Sequence, residues 1–262
     1  MSDDRLRCVL SIAGSDPSGG AGIQADLKTF AAFGVDGCAA IAALTAQNEH
    51  DVVGILEVPA EFLAAQLKAV LGDREIDAVK IGMLGTAANV HTVAETLRQS
   101  DQRNVVVDPV LRATSGALLL DDAGLAVLRD EILPLATVLT PNAFESGALL
   151  GTAPASSLGD MHAAARALRA LGAEWVLVTG GHVDADGEEC VDVLAGRDGT
   201  SELRTPRVPG PGIHGSGCRL SSAIASLLAR GASVPDACAQ AQRFVARAIA
   251  TANAARSLVE AV

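Results

Sequence analysis

The feature that most narrows how this chain can fold is an alternation of short apolar runs, too brief for helices, with longer stretches of helical periodicity. The runs cover residues 9–13, 38–44, 78–81, 105–107, 137–139 and 175–178, and most end in Gly, Asp or Thr. Nearly continuous apolar runs of this length read as strands buried on both faces, which is how strands of a parallel sheet look. The stretches between them, 24–33, 59–71, 89–98, 123–132 and 158–171, supply the helical crossovers of βαβ units. Ser157, with Asp160 three residues later, caps the last of these. Residues 190–195 and 201–208, separated by Gly196, Asp198 and Gly199, predict an antiparallel hairpin at the sheet edge, and helices over 216–229 and 236–255 finish the chain. No repeat, low-complexity run or long linker interrupts the 262 residues, so one α/β domain spanning 1–262 around an open, mostly parallel sheet is expected. Ligands of such sheets bind beyond the carboxyl ends of the strands, and the glycine-rich and polar clusters of this sequence fall there.

Composition limits what that cleft can take. A net charge of -11, with one Trp, five Phe and no Tyr, leaves neither the cationic surface nor the stacking platforms that nucleic acid needs. A phosphate-bearing ligand must therefore be held by local dipoles or cations against the global field. The five cysteines, Cys8, Cys38, Cys190, Cys218 and Cys238, are odd in number and contain no CxxC pair, which argues against a disulfide framework or a zinc site. The first fifteen residues carry acids as well as arginines, and the apolar run at 8–13 is too short for a signal segment or a membrane span. A cytoplasmic protein with no membrane contact is the expectation.

Four clusters carry chemistry. Gly14-Ser15-Asp16-Pro17-Ser18-Gly19-Gly20-Ala21-Gly22-Ile23-Gln24-Ala25-Asp26 is a side-chain-poor loop running into a helix, so a ligand can approach its backbone N–H groups. Its Gly20-x-Gly22-x-x-Ala25 substring imitates a dinucleotide fingerprint but starts seven residues past Ala13 rather than directly after the strand, and no GxxxxGK[ST] loop occurs anywhere. His214-Gly215-Ser216-Gly217-Cys218 opens an apolar-patterned helix, where glycines free the first N–H groups to form an anion hole. A lone Cys is more often a small buried hydrophobe, but here the flanking glycines and His214 favour a thiol of lowered pKa acting as base or nucleophile. Thr140-Pro141-Asn142-Ala143-Phe144-Glu145 puts an amide and a carboxylate one turn apart, which suits water-mediated Mg²⁺ and equally a capping box. Asp108 ends a strand, and Gly180-Gly181-His182 after Thr179 is another backbone-rich turn.

Taken in order with Leu27-Lys28-Thr29-Phe30, Ala46-Gln47-Asn48, Lys80-Ile81-Gly82-Met83-Leu84 and Asp108-Pro109-Val110, these clusters closely resemble the hydroxymethylpyrimidine/phosphomethylpyrimidine kinases over nearly the whole chain. The resemblance implies a ribokinase-like, three-layer αβα fold with helices on both faces of the sheet, and two successive phosphoryl transfers from ATP with Mg²⁺. The first would go to the alcohol of 4-amino-5-hydroxymethyl-2-methylpyrimidine and the second to its monophosphate, in thiamine biosynthesis. It implies that Gln47 and Asp26 face the pyrimidine, with Gly14, Met83 and Val110 around it. Asn142, Asp108, Thr179, Gly181 and His214 would serve ATP, Glu145 and Asp108 the metal, and Gly215, Ser216, Gly217 and Cys218 the transfer itself. An aminopyrimidine edge wants an amide partner, which Gln47 provides. Cys218 stands where sugar kinases of this fold usually carry Asp. The chain departs from many members in carrying Thr179 for a lysine, Arg219 for a small hydroxylated residue and Arg112 for an uncharged one, so an arginine is expected to replace the lysine's charge. The resemblance also suggests a homodimer. The alternatives are a pyridoxal or pyridoxine kinase of the same fold and a catalytically silent pyrimidine binder.

Overall fold

The computed structural model describes residues 5–48, 50–100, 102–113, 115–181, 183 and 187–260, so His182 of the Gly-Gly-His turn lies outside the described residues. Nine strands form one sheet in the order β3-β2-β1-β4-β5-β6-β7-β8-β9. The strands β1 (Cys8–Ser15), β2 (Asp36–Gln47), β4 (Ala78–Ile81), β5 (Val105–Val107), β6 (Val138–Leu139) and β7 (Trp175–Val178) run parallel to one another. β3 (Val52–Glu57), β8 (Glu189–Gly196) and β9 (Gly199–Pro206) add antiparallel edges on the two sides.

Helices cover both faces because successive strand residues point to opposite sides. Leu10, Ile12, Val79, Ile81, Val105 and Val107 pack on one side against α2 (Ala60–Asp73), α3 (Ala87–Ser100) and α6 (Leu158–Ala170). Val9, Ala78 and Val106 pack on the other against α1 (Gly22–Ala32), α7 (Ser216–Ala229) and α8 (Val234–Glu260). The expected three-layer α/β arrangement is thus the one found. The 123–132 stretch divides into a short helix, α4 (Asp122–Val127), a π turn over Leu128–Ile132 and a 3-10 turn over Leu133–Leu135. At α6 the Ser157 hydroxyl accepts the Asp160 N–H at 3.2 Å, the cap read from the sequence. A further helix, α5 (Ala143–Leu150), follows β6, and no described helix is long and apolar enough to cross a membrane.

Two features position the site. From β1 the chain moves outward to β2 and returns as β4 on the opposite side of β1, which opens a crevice between the carboxyl ends of β1 and β4. The far end of β2 also outruns β1, and its residues 43–47 pair with β3 as a two-stranded ribbon. Gln47 stands at the tip of that ribbon.

Candidate active site

Two glycine-rich loops meet over the crevice, backbone against backbone. A Cβ on Gly22, at φ +57°, would lie 2.4 Å from the Gly14 carbonyl oxygen, and one on Gly215, at φ +74°, would lie 2.2 Å from that of Gly20. Only glycine permits both the left-handed backbone and the close approach. Asp16 organises the first loop: its Oδ1 accepts Ser18 N–H at 2.8 Å, and its Oδ2 accepts the Ser18 hydroxyl at 2.9 Å and Ala21 N–H at 2.8 Å. Burial works against the Asp16 charge, yet these donors, joined by His214, hold its carboxyl below the usual range. Arg219 ties the loops together by donating to the carbonyls of Gly20 at 2.9 Å and His214 at 2.6 Å.

His214, expected with the nucleotide group, sits between Asp16 of the first loop and Gln47. Its Nε2 lies 3.1 Å from Asp16 Oδ2 and 3.1 Å from the Gln47 amide, whose other end lies 3.2 Å from Thr45 Oγ1. One ring nitrogen offers either a proton or a lone pair. The Gln47 NH₂ faces His214, and the Thr45 hydroxyl shares its proton between the Gln47 carbonyl at 3.2 Å and the Ser15 carbonyl at 3.0 Å. Gln47 keeps one N–H and one lone pair for a ligand. Below it, Gly14 and Met83 touch across β1 and β4, since a Cβ on Gly14 would be 2.9 Å from the Met83 sulfur. Val110 packs with Met83, Ala43 and Leu119 in a small apolar cluster beside them.

Asp26, expected to face the ring, is fully buried within the protein. Its oxygens accept from Ser11 at 2.6 Å, Ser222 at 2.7 Å and the Lys80 ammonium at 2.9 Å, and both Asp26 and Lys80 are 0% exposed. Burial opposes the Lys80 charge, but Asp26, Cys218 and Asp108 together hold the ammonium above its ordinary pKa. The ion pair therefore lies beneath the first turn of α7, joining β4 to α1 and α7.

That first turn has a left-handed N-cap at Gly215 and no side-chain cap; Ser216 N–H donates to the Ile213 carbonyl at 3.3 Å, which leaves the N–H groups of Gly217 and Cys218 for a ligand. Cys218, half-buried there, does not carry the lowered pKa expected of a helix start. Burial pushes the thiol up to about 12, with Asp108 and Asp26 adding to the rise and Lys80 opposing it. Desolvation and two nearby carboxylates outweigh the helix terminus. Asp108 accepts from the Ser221 hydroxyl at 3.2 Å and interacts with the Cys218 thiol, and its own carboxyl is raised by burial.

Asn142 and Glu145 form a reciprocal capping box with two bonds of 2.9 Å. Burial first, and Asp108 second, push Glu145 up to about 8. Two buried carboxylates destabilised in this way fit a hard divalent cation, whose charge would relieve them. Among the described residues no group of three or more His, Cys, Asp or Glu could hold a metal alone, so the remaining ligands would be water or a nucleotide. Thr179 bridges to Asn142 across the ends of β6 and β7, and the Gly181 carbonyl accepts from Arg207 at 3.0 Å. Arg112 lies over the Phe144 ring, 5.7 Å from its centroid, on the Asn142 side of the cleft. Sequence reasoning missed Asp16 and Lys80 as site residues. Asp16 could have been found as the Asx turn of Asp-Pro-Ser-Gly, and Lys80 as the one charge in the otherwise apolar β4.

Comparison with known proteins agrees with this geometry. The family model described as phosphomethylpyrimidine kinase matches residues 16–260. A hydroxymethylpyrimidine/phosphomethylpyrimidine kinase from Escherichia coli is 43% identical over 244 residues, covering 93% of this chain and 91% of its own. A thiamine biosynthesis bifunctional protein from Geobacter sulfurreducens is 44% identical over 94% of this chain, which corresponds to 49% of that longer protein. Among solved structures, an ADP complex of Bacillus subtilis pyridoxal kinase superposes with a TM-score of 0.86 at 36% identity, covering 94% of this chain and 92% of that one.

Proposed function

The chain belongs to the phosphomethylpyrimidine kinase family, and from that premise we propose that it transfers phosphoryl groups from ATP to 4-amino-5-hydroxymethyl-2-methylpyrimidine and then to its monophosphate, in thiamine biosynthesis. The observation that carries this reading is the position of the α7 N-terminus between an amide-bearing ring pocket and a carboxylate-bearing nucleotide side. Gln47 offers a paired donor and acceptor to an aminopyrimidine edge, above the surface made by Gly14, Met83 and Val110. Asn142, Thr179 and Gly181 line the nucleotide side. Asp108 and Glu145 would hold Mg²⁺, which when bound neutralises phosphate charge.

Phosphoryl transfer needs positioning and charge stabilisation more than covalent help. The uncapped N–H groups of Gly217 and Cys218 supply donors for the transferring group, with the Lys80 charge beneath them. In a loose transition state the alcohol proton leaves late, so no resting thiolate is required. Cys218 stands beside the transferring group to assist that late proton loss, with its thiol in contact with the Asp108 carboxylate.

A steady-state ATP-consumption assay with the pyrimidine alcohol, its monophosphate and pyridoxal as separate acceptors tests the reading. Turnover on both pyrimidines is expected. Turnover on pyridoxal alone would replace it with the second reading, which the likeness to the Bacillus subtilis enzyme favours. A homodimer closed over the ribbon edge is part of the proposal, because Val53 and Leu56 of β3 are 77% and 64% exposed and Phe62 of α2 is 60% exposed. Light scattering should then report a dimer that Leu56→Glu dissociates.

A further inference from the structure

Away from the cleft, at the opposite ends of the strands, two cysteines face each other across β1 and β2. The register pairs Cys8 with Asp36 and Leu10 with Cys38, so the two side chains leave adjacent strands on the same face, two residues out of step. Their sulfurs are 3.9 Å apart, and neither is in a disulfide. The Cys38 thiol has Val9 O at 3.8 Å as its other acceptor. Next to Cys8 opens a cavity of about 180 Å³ lined also by Arg5, Leu6, Asp36, Arg74 and Glu75. Arg74 pairs with Asp36 at this cavity, and Arg5 with Glu75 at 2.8 Å.

We propose that Cys8 and Cys38 form a dithiol modification site for small hydroperoxides, which reach Cys8 through this cavity and leave the pair as a disulfide. The phosphoryl-transfer chemistry uses neither residue, so the site is independent of the catalytic cleft. The electrostatics favour a thiolate beside a thiol. The hydrogen bond from Cys38 brings Cys8 down to about 7 against the effect of burial, Arg74 adds to it, and Cys38 is pushed up in turn. An attacking thiolate next to a protonated partner is the arrangement that oxidises and then resolves. The other described thiols lack it, because burial pushes Cys190 up to about 11 and Cys218 up to about 12, and raises Cys238 as well.

The chemistry balances in two steps. Cys8 thiolate attacks the terminal peroxide oxygen, the O–O bond breaks, and the departing alkoxide or hydroxide takes a proton from water, leaving a sulfenic acid on Cys8. Cys38 sulfur then attacks Cys8 sulfur, the S–O bond breaks, and water leaves with the Cys38 proton. Overall the two thiols lose two electrons and two protons, which reduce the hydroperoxide to an alcohol, or to water for hydrogen peroxide, and one further water. Closing from 3.9 Å to a bond of about 2.05 Å requires the sulfurs to approach by roughly 1.9 Å, and because residues two out of step on adjacent strands stand about 7–8 Å apart, the backbone at Cys8, the first residue of β1, must shift as well.

The test treats the full-length protein with stoichiometric hydrogen peroxide near neutral pH, blocks the remaining thiols and maps peptides by mass spectrometry. The expected result is a loss of two hydrogens and a Cys8–Cys38 cross-linked peptide that accumulates before any modification of Cys190, Cys218 or Cys238. Cys38→Ser should trap Cys8 as a sulfenic acid that dimedone captures, and Cys8→Ser should leave Cys38 reduced. A variant-free check is the pH dependence of iodoacetamide labelling in the wild type, where Cys8 should titrate near 7. The proposal is overturned if another cysteine oxidises first, if Cys8 passes to a sulfinic acid without cross-linking, if Cys38→Ser yields no dimedone adduct, or if Cys8 labelling titrates in the ordinary thiol range.

Discussion

Replacing Lys80 with Met removes the ammonium from a pair that is 0% exposed on both sides and leaves Asp26 in the interior with only the hydroxyls of Ser11 and Ser222. Breaking a buried ion pair by deleting one partner costs about 3–5 kcal/mol, because the surviving charge has lost its compensation. For a chain of this size each kcal/mol lowers Tm by roughly 2–4 °C, so Lys80→Met should melt about 6–20 °C below the wild type. Asp26→Asn should fall in the same range, since it strands the ammonium instead. The double variant Lys80→Met/Asp26→Asn carries no buried charge at this place, and the two serines can still bond the amide. It should therefore be more stable than the sum of the single losses by about 1–3 kcal/mol, the coupling expected of neighbours in direct contact. Urea unfolding and calorimetry on all four proteins measure the cycle. Single losses below about 1 kcal/mol, or strict additivity, would refute the reasoning that the pair is a mutually compensated buried unit.

The remaining predictions concern the cleft. Gln47→Ala should weaken pyrimidine binding by about 1–3 kcal/mol in calorimetry while leaving ATP affinity unchanged, since it unpairs the ring edge alone; equal losses for both ligands would remove Gln47 as the ring reader. Cys218→Ser should lower kcat by about 10²–10⁴ at unchanged KM for ATP, with residual activity from the N–H groups of the α7 terminus, and near-full kcat would leave that terminus as the main catalytic feature. Glu145 has a folded pKa of about 8 against an ordinary 4.5, so the folded protein holds a proton there that the unfolded chain has lost, and this contribution to stability is present below about 4.5 and fades as pH rises to 8. Metal–nucleotide binding should expel that proton, so titrations in buffers of different ionisation enthalpy should show proton release below pH 8 in the wild type and less of it in Glu145→Gln. Arg112→Ala should depress kcat and Thr179→Lys should restore part of it, whereas Arg219→Ala, which frees the two glycine loops, should raise KM for the pyrimidine instead.

Local patterning was enough to read most of the scaffold. The apolar runs at 78–81 and 105–107 coincide with β4 and β5 because a strand buried on both faces has almost no freedom in composition. The hairpin at β8 and β9 and the cap at Ser157 were legible for the same reason, since turn glycines and capping hydroxyls act within a few residues. β3 was not legible. Its Val-Val-Gly-Ile-Leu-Glu segment is an exposed ribbon strand with neither alternation nor burial to announce it, and only pairing with the far end of β2 makes it a strand.

The sequence by itself determined the α/β class, the two glycine-rich loops and the identity of the groups that meet in the cleft, because these depend on spacing and backbone freedom that a short segment carries within it. Which partners each of those groups takes was decided only in three dimensions. Asp26 turned inward because helix phase aims it at Lys80, 54 positions away, and His214 swung to Gln47 and Asp16 across the loops. Cys218 lost the low pKa of a helix start because desolvation, together with the charges of Asp108 and Asp26, outweighed the terminus. Burial and through-space charge sum over neighbours distant in sequence, so no local pattern encodes their balance.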